Sequence, residues 1–515
     1  MIMTISDISQ VLLAYAQEST FGQQVTGRNL QKVRLTGESL KQDTDIANSN
    51  EIRPDRQIVG VSRTRVAVSG GLDFEFSYGS FDDFMACVLM SANVKAQGLL
   101  TIDTLPTTTD DTITIGTTVY RFMGTMAAAN DIKIETADLP GTLANLIATI
   151  NGTGVAGVNY YAGTTSPHPL VRIGDFASDD AIITALSAGL AGNAIATTET
   201  FTAETNIFDE DTLGTETAGE GWTAPVTVTA ITISAASGDS SFNDSGSGFG
   251  SIVANQWIRT SGFTAPADNG YFKVASATAA KVIVYGTLVT ESAGESRTVK
   301  QGSSIVNGVA KNSFNFERTY TDLTQELALF KGSMLNQMTL TVGTNGIITG
   351  SFGMMGQIET SETASGGDGY EEPNDNDVLN SIDHVQGIYE NAAAIDVLDC
   401  SLTINNNLRE RLKVGTLGPF SFGANSINVS GSFTAYYESK TLYDKYLNFD
   451  NTSLAKVFQD ADGNGYVFDL PGLKITDGQR HSGAGINDDF KVPCTFQAFM
   501  EGTEEITIRI VRFAA

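Results

Sequence analysis

The sequence predicts a mainly β protein in which one strand-and-helix unit is used twice. Three observations carry this expectation. Only 17% of the 515 residues are charged while glycine numbers 52, a composition that suits strands joined by tight turns and argues against disorder. Alternating apolar runs recur along the chain, the period of a half-buried strand. The stretch Val66 to Leu89, VAVSGGLDFEFSYGSFDDFMACVL, returns in degraded form at Ile427 to Leu447 as INVSGSFTAYYESKTLYDKYL. A chain of this length exceeds what one core organises, so more than one domain is expected.

Residues 1–28 read as an N-terminal arm holding a short helix (Ile8, Val11, Leu12, Tyr15) and a turn-rich lead-in. No basic residue precedes the apolar patch Val11 to Ala14, so the segment does not read as a secretion signal. No apolar run approaches the roughly 20 residues of a spanning helix. The expectation is a soluble protein made in a cytoplasm.

The first copy of the unit occupies residues 29–94 and 305–359, and the second residues 396–515. Each opens with an alternating run, then Val68-Ser69-Gly70 or Val429-Ser430-Gly431, then a second alternating run (Leu72, Phe74, Phe76; Phe433, Ala435, Tyr437). Period two argues strand, and the switch to Phe81, Phe84, Met85, Val88 and Leu89 argues helix. Ser80 with Asp83 fits a capping box, and Ser439 is the corresponding cap in the second copy. Upstream, Val33 to Leu40 parallels Cys400 to Leu408; downstream, Leu329 to Leu340 parallels Phe468 to Ile475, and Phe352 to Gly356 parallels Phe496 to Gly502.

Between the first strands of copy one lies LKQDTDIANSNEIRPDRQIVG, Leu40 to Gly60, too polar for a core and too long for a tight turn. Long loops in compact domains tend to be functional. A solvated hairpin tip is one reading. An arm reaching a neighbouring subunit is the other, preferred because the corresponding loop of copy two, LRERLKVGTLGPFSFGAN, carries Phe420 and Phe422, which a solvated tip seldom exposes. Ile46 and Ile52 offer apolar anchors, while Glu51, Arg53, Asp55 and Arg56 offer charges of both signs; Arg409 and Arg411 join the two phenylalanines in the second loop. The first loop is expected to order only on stacking.

The repeat is then interrupted. Where copy two passes from helix to strand through Asn448 to Ser453, copy one carries about two hundred residues. Closing a longer surface loop adds little entropic cost, so such an insertion is tolerated if it folds by itself. Residues 95–208 read as a small α+β module, with strands in TITIGTTVYRF, VNYYAG and NAIATTETFTAE and a helix beginning near Pro140. An acidic linker, Asp209 to Gly221, leads to residues 222–304, a small all-β module with turns at Ser237-Gly238-Asp239 and Asp268-Asn269-Gly270. Residues 360–395, beginning with the Gly-rich and acidic Thr360 to Asp377, read as the inter-unit linker. The whole insert is expected to project from the assembly and to be dispensable for it.

Chemistry-bearing patterns are few. Asp460-Ala-Asp462-Gly-Asn464-Gly465 copies half of an EF-hand loop, but Pro471 stands where a bidentate Glu is required and the flanks alternate as strands, so a hairpin turn is read. Gly246 to Gly250 lacks the Lys-Ser/Thr of a phosphate loop and is also read as a turn. His168, His384 and His481 are isolated and read as solvent-facing loop residues, with no second ligand at metal spacing. Cys87, Cys400 and Cys494 read as buried thiols. No nucleophile elbow or singled-out carboxylate pair argues for an enzyme, and no cofactor, metal or catalytic residue is assigned. The 59 acidic against 31 basic residues, a net charge of -28, oppose binding to phosphate backbones, which draws on Lys and Arg.

The runs SNEIRPDRQIVGV, VSGGLDFEFSYGSFDD, NSFNFERTYTDL, LFKGSMLNQMTLTV and GIITGSFGMMG in copy one, with INVSGSFTAYYES, LYDKYLN and DADGNGYVFDLP in copy two, resemble the tail tube proteins (major tail proteins) of long-tailed, siphovirus-type phages. The likeness covers Leu30 to Ile358 outside the insert and Asp396 to Arg512. It implies β-sandwich or barrel units flanked by a helix, whose strands join those of neighbours into a ring, with rings stacked as a channel for DNA passage at infection. Its implied partners are other copies of itself, the tail terminator, tape measure and tail tip proteins, and DNA that slides through without specific binding; no membrane insertion is implied. Two units per chain predict trimeric rings, and the inserted modules would decorate the tube exterior, in reach of host-surface glycans. A lumen lined by carboxylates would repel DNA and let it slide. The alternative is a secreted or surface carbohydrate-binding β protein, an adhesin in which the added modules work.

Overall fold

Period-two alternation is realised as antiparallel strand through most of the chain. In the computed structural model, which describes residues 10–107, 111–163, 167–323, 326–478 and 489–515, the protein is mainly β, with several sheets and three α-helices among the described residues. It divides into two compact units, Met1–Ser91 with Pro225–Ala515, and Ala92–Ala224.

The larger unit begins with β1 (Val11–Gln17), β2 (Lys41–Asn48), β3 (Val61–Glu75) and α1 (Asp82–Val88). The smaller unit contributes α2 (Leu139–Asn151). The chain continues with β4 (Phe314–Tyr320), β5 (Leu327–Val342), β6 (Thr349–Gly356) and β7 (Ile358–Glu362). Next come β8 (Val385–Glu390), β9 (Val397–Asn405), β10 (Arg409–Arg411), β11 (Ser421–Gly423) and β12 (Asn428–Tyr436). The chain closes with α3 (Thr441–Asn448), β13 (Thr452–Gln459), β14 (Gly465–Asp477), β15 (Lys491–Ala498) and β16 (Arg509–Phe513).

Two runs of strands share one order. The first is β1-β4-β5-β6-β3-β2. The second is β8-β13-β14-β15-β12-β9. Every one of these pairs is antiparallel, and β7 lies along the first half of β5 as β16 lies along the first half of β14. Register irregularities recur at matching places: Phe314/Phe316 and Leu335/Gln337 in the first run, Thr452/Leu454 and Ile475/Asp477 in the second. A β-bulge is a positional feature, so this agreement is stronger than shared strand number.

The recurring Val-Ser-Gly has a steric cause. A β-carbon on Gly70 would meet Ser39 O at 2.6 Å, and Gly70 sits at φ +149; a β-carbon on Gly431 would meet Ser401 O at 2.3 Å. Both glycines let the neighbouring strand's backbone approach closely. On the inward face, Phe74 stacks on Phe352 with centroids 4.8 Å apart and lies 4.3 Å from Phe81. Phe84 of α1 reaches Tyr15, Phe314, Phe316 and Phe352. Each such buried ring contributes about 1.5–3 kcal/mol of transfer free energy.

The structure corrects the sequence reading at named places. The described part of the expected N-terminal helix is β1, whose residues Leu13 to Ala16 are buried, because β4 supplies a hydrogen-bonding edge along its whole length; Ile8 lies outside the described residues. Ser80 does not cap α1, whose N-cap is Phe81 without a side-chain bond; its hydroxyl pairs with Ser77 and Asn374 instead. Ser439 accepts from Thr441 N one position before the N-cap Lys440. Residues 360–395 are woven into the sheet through β7 and β8, with Tyr370–Glu371 parallel to Leu30–Lys32. Leu72 faces Phe352 as Phe433 faces Cys494, so the downstream parallel slips by two residues and keeps the same face. Lys41 faces Ser69 as Thr403 faces Ser430, so the upstream parallel also moves.

Unit Ala92–Ala224 packs α2 against strands around Tyr120, Phe122, Leu146 and Ile150. Asp138 caps α2 by accepting from Gly141 N, with proline in the first turn. The stretch VNYYAG is not a strand there: Tyr160 makes isolated bridges and donates to Gly154 O. His168 is 2% exposed, not solvent-facing; its Nδ1 accepts from Leu170 N and Val171 N. His384 likewise accepts from Asn380 N; His481 lies outside the described residues.

The all-β module spanning residues 226–301 is a seven-stranded sheet with its own core around Phe242, Phe249 and Val299. It is not separate from the second run of strands. Its Trp257 and Tyr271 share an apolar cluster with Val457, Val467, Val511 and Phe513. Beside them Lys273 Nζ stands 3.0 Å from Asp469 and 2.7 Å from Glu504, and Arg509 pairs with the same two carboxylates at 3.3 and 2.6 Å. Burial pushes the Asp469 carboxyl above the ordinary range, and Lys273 and Arg509 hold it partly back.

Candidate functional site: two neighbouring hairpins

The two long loops flagged in the sequence lie side by side. The first is the hairpin of β2 and β3, whose pairing runs from Lys41↔Ser69 out to Asn48↔Val61 with a bulge at Asp45/Ile46. Ser49 N donates to Gly60 O at 2.8 Å and closes the ladder. Beyond it Arg53 grips Asp55 within the tip, Nη2 to Oδ2 at 2.7 Å, Pro54 fixes the turn between them, and Arg56 takes a left-handed φ of 58. The apolar side chains have no cover: Ile52 is 99% exposed, and Ile46, Ile58, Val59 and Val61 are also exposed. Glu51 is exposed too, its amide donating to Ser49 Oγ.

The second hairpin is β10 and β11, with Arg409↔Gly423 and Arg411↔Ser421 in register. Both arginines are exposed, as are Leu412 and Val414. Phe420 is 42% exposed under Lys413. Phe422 corrects the expectation of two exposed rings: at 1% exposure it anchors the hairpin against Phe21, Met90 and Met334. Period two in a short strand puts one ring out and the next in.

Arg65, which the sequence reading did not single out, ties the hairpins together. Its Nε donates to Glu410 Oε2 at 2.9 Å and its Nη1 to Asp45 Oδ2 at 2.8 Å; these partners, Glu410 foremost, hold the guanidinium charged. Val66 N donates to Leu417 O at 3.0 Å, and Gln357 Nε2 to Pro419 O at 3.0 Å. The missed signal was local: IVGV inside a polar loop, and an arginine on the outward face of an alternating run.

The surface can pack apolar side chains and exchange ion pairs with another protein. It offers no nucleophile with a base, and among the described residues no cluster of three His, Cys, Asp or Glu is disposed to hold a metal. Asp460 to Gly465 is a hairpin turn between β13 and β14, with Asp460 accepting from Asn464 N at 2.7 Å. The thiols of Cys87, Cys400 and Cys494 are free and buried.

Comparison with known families finds one whose members are described as phage tail tube proteins, matching residues 8–498 of this chain. No curated protein matches the chain.

Proposed function

Because this chain belongs to the phage tail tube protein family, with a structural and not an enzymatic role in the virion tail, we propose that three chains close into one ring of six similar repeats and that rings stack into the tube. The observation that carries this is the shared strand order with its two recurring bulges. Two repeats of one construction in each chain make six equivalent positions from three chains, and closed rings need such repeated contacts. Each repeat is a helix-flanked β unit, and the strands around the axis enclose a channel for DNA. Acidic residues exceed basic ones by 59 to 31, which favours sliding over gripping.

Stacking is assigned to the paired hairpins, through Ile46, Ile52 and Phe420 with Glu51, Arg53, Asp55, Arg56, Arg409 and Arg411 around them. Phe422 supports the surface from beneath. The same surface at the two ends of the tube serves the tail terminator and the tail tip, and the lumen holds the tape measure before ejection. The inserted modules lie on the outside, where host-surface glycans are within reach. Native mass spectrometry of isolated rings is expected to give three full-length chains; rings of six chains would overturn the arrangement.

A further inference from the structure

Lys273 and Asp469 meet where the all-β module docks on the second repeat, and the repeat by itself gives no reason for a charge there. Counted from the matching bulges, Leu454↔Leu470 takes the place of Phe316↔Phe330, so Asp469 opposite Ala455 takes the place of Leu329 opposite Glu317. β16 sets Arg509 beside Asp469 where β7 sets Thr360 beside Leu329. The carboxyl and the guanidinium thus stand in the repeat that carries the module. Lys273 comes from the module's strand Gly270–Thr278. Lys273, Asp469 and Arg509 each lie two residues along their strands from a member of the apolar cluster, Tyr271, Val467 and Val511, so all three share the face of that cluster. An amine is held there against a carboxyl, with a second carboxylate in reach. Lys273 Nζ is 3.0 Å from Asp469 Oδ2 and 2.7 Å from Glu504 Oε1, and the Asp469 and Glu504 side chains are 2% and 7% exposed. Glu504 is fixed by its own amide, which donates to Glu501 Oε2 at 2.7 Å, and Arg509 by donation to Asn255 O at 2.6 Å. Burial favours the neutral acid at Asp469, the form an amine can attack, because desolvation disfavours the carboxylate.

We propose that Lys273 and Asp469 join covalently, through an amide between Nζ and Cγ that fastens the all-β module to the second repeat. Nζ forms the new bond to Cγ as one carboxyl oxygen breaks away. Of the three ammonium protons, one stays on the amide nitrogen and two leave with that oxygen as water, carried by Glu504, which touches Nζ. No oxidant or co-reactant is needed, since an ammonium and a carboxylate give an amide and water. Arg509, donating to Oδ2 at 3.3 Å, stabilises the negative charge that develops on that oxygen during attack. The product is balanced too: one cation and one anion disappear together, and Arg509 keeps Glu504 at 2.6 Å. Reactants held in contact have an effective concentration of about 10⁵–10⁸ M, which favours condensation where water is excluded.

The test is the mass of the denatured full-length chain and of its tryptic peptides. The chain is expected to weigh one water less than its sequence, with the peptides holding Lys273 and Asp469 recovered as one branched species and no cleavage after Lys273. Lys273→Arg and Asp469→Ala should keep the full sequence mass. Glu504→Gln preserves the shape and removes the proton carrier; it should fold, as circular dichroism reads, and join about 10²- to 10⁴-fold more slowly, with the joined fraction followed from synthesis onward. The native chain alone decides the bond: a folded chain of full sequence mass, or one that has lost water with the two peptides still separate, overturns the amide. Joining at the native rate in Glu504→Gln overturns the proton route through Glu504.

Discussion

Phe420 and Phe422 differ by two positions in sequence and by most of their exposure. Phe422 is packed against Phe21 at 5.8 Å and against Met90 and Met334, while Phe420 lies at the surface under Lys413. Truncating a buried ring removes its transfer energy and leaves a cavity, so Phe422→Ala should destabilise the folded chain by about 3–5 kcal/mol. Phe420→Ala should stay within about 0.5 kcal/mol of the native value, as surface substitutions do. Urea unfolding of both variants checks the contrast; equal losses would mean that the hairpin is not anchored by Phe422. The sequence reading takes both rings as exposed, because a three-residue strand fixes its face only through the partner it packs on. His168 shows the same limit. Its isolation from other ligands was legible, but its burial depends on amides of Leu170 and Val171 that no spacing rule reports.

At the scale of elements, the paired hairpins combine exposed aliphatic side chains with local ion pairs that are already satisfied. Arg53 and Asp55 close on each other within the tip, and exposed pairs contribute about 0–1 kcal/mol. The aliphatic residues have no such internal partner, so they carry the docking energy. Ile52→Asp is therefore expected to abolish tube elongation while leaving the melting temperature of the free chain unchanged, and Arg53→Ala only to slow elongation. Light scattering for elongation and circular dichroism for melting separate the two effects; normal tubes from Ile52→Asp would remove the hairpin from the assembly surface. The first hairpin is paired in the isolated chain up to Asn48↔Val61, so any ordering on docking concerns the tip. The repeat was legible because Val-Ser-Gly answers to a backbone contact present twice. Its opening strands were hidden, since β1 and β8 share a place in the sheet without sharing a pattern.

At the scale of the molecule, the insertion is two things and not one. Mainly β character and the interrupted repeat were plain from composition and from the short Asn448 to Ser453 connection. What the sequence hid was attachment, because Lys273 and Asp469 lie far apart in the chain and neither sits in a recognisable pattern. Residues 92–224 have their own core, whereas the all-β module lends Trp257 and Tyr271 to a cluster with Val457, Val467 and Phe513. Lys273 also balances Asp469 and Glu504 alongside Arg509. Removing one member of a buried charge group leaves the others uncompensated, at about 3–5 kcal/mol, and stripping the two aromatic rings exposes apolar wall besides. Replacing Ala92–Ala224 by a short Gly-Ser bridge should therefore preserve folding and tube formation, whereas extending the deletion to Gln301 should lower stability by at least the cost of the broken charge group and reduce tube yield with it. Thermal melts and negative-stain images of both deletions decide the matter: tubes of equal yield and chains of equal melting temperature would show that the all-β module is as detachable as its neighbour. Lys273→Met, which removes the cation and keeps most of the stem, should reproduce the charge-group part of the loss in the full-length chain and thereby separate it from the loss of apolar cover.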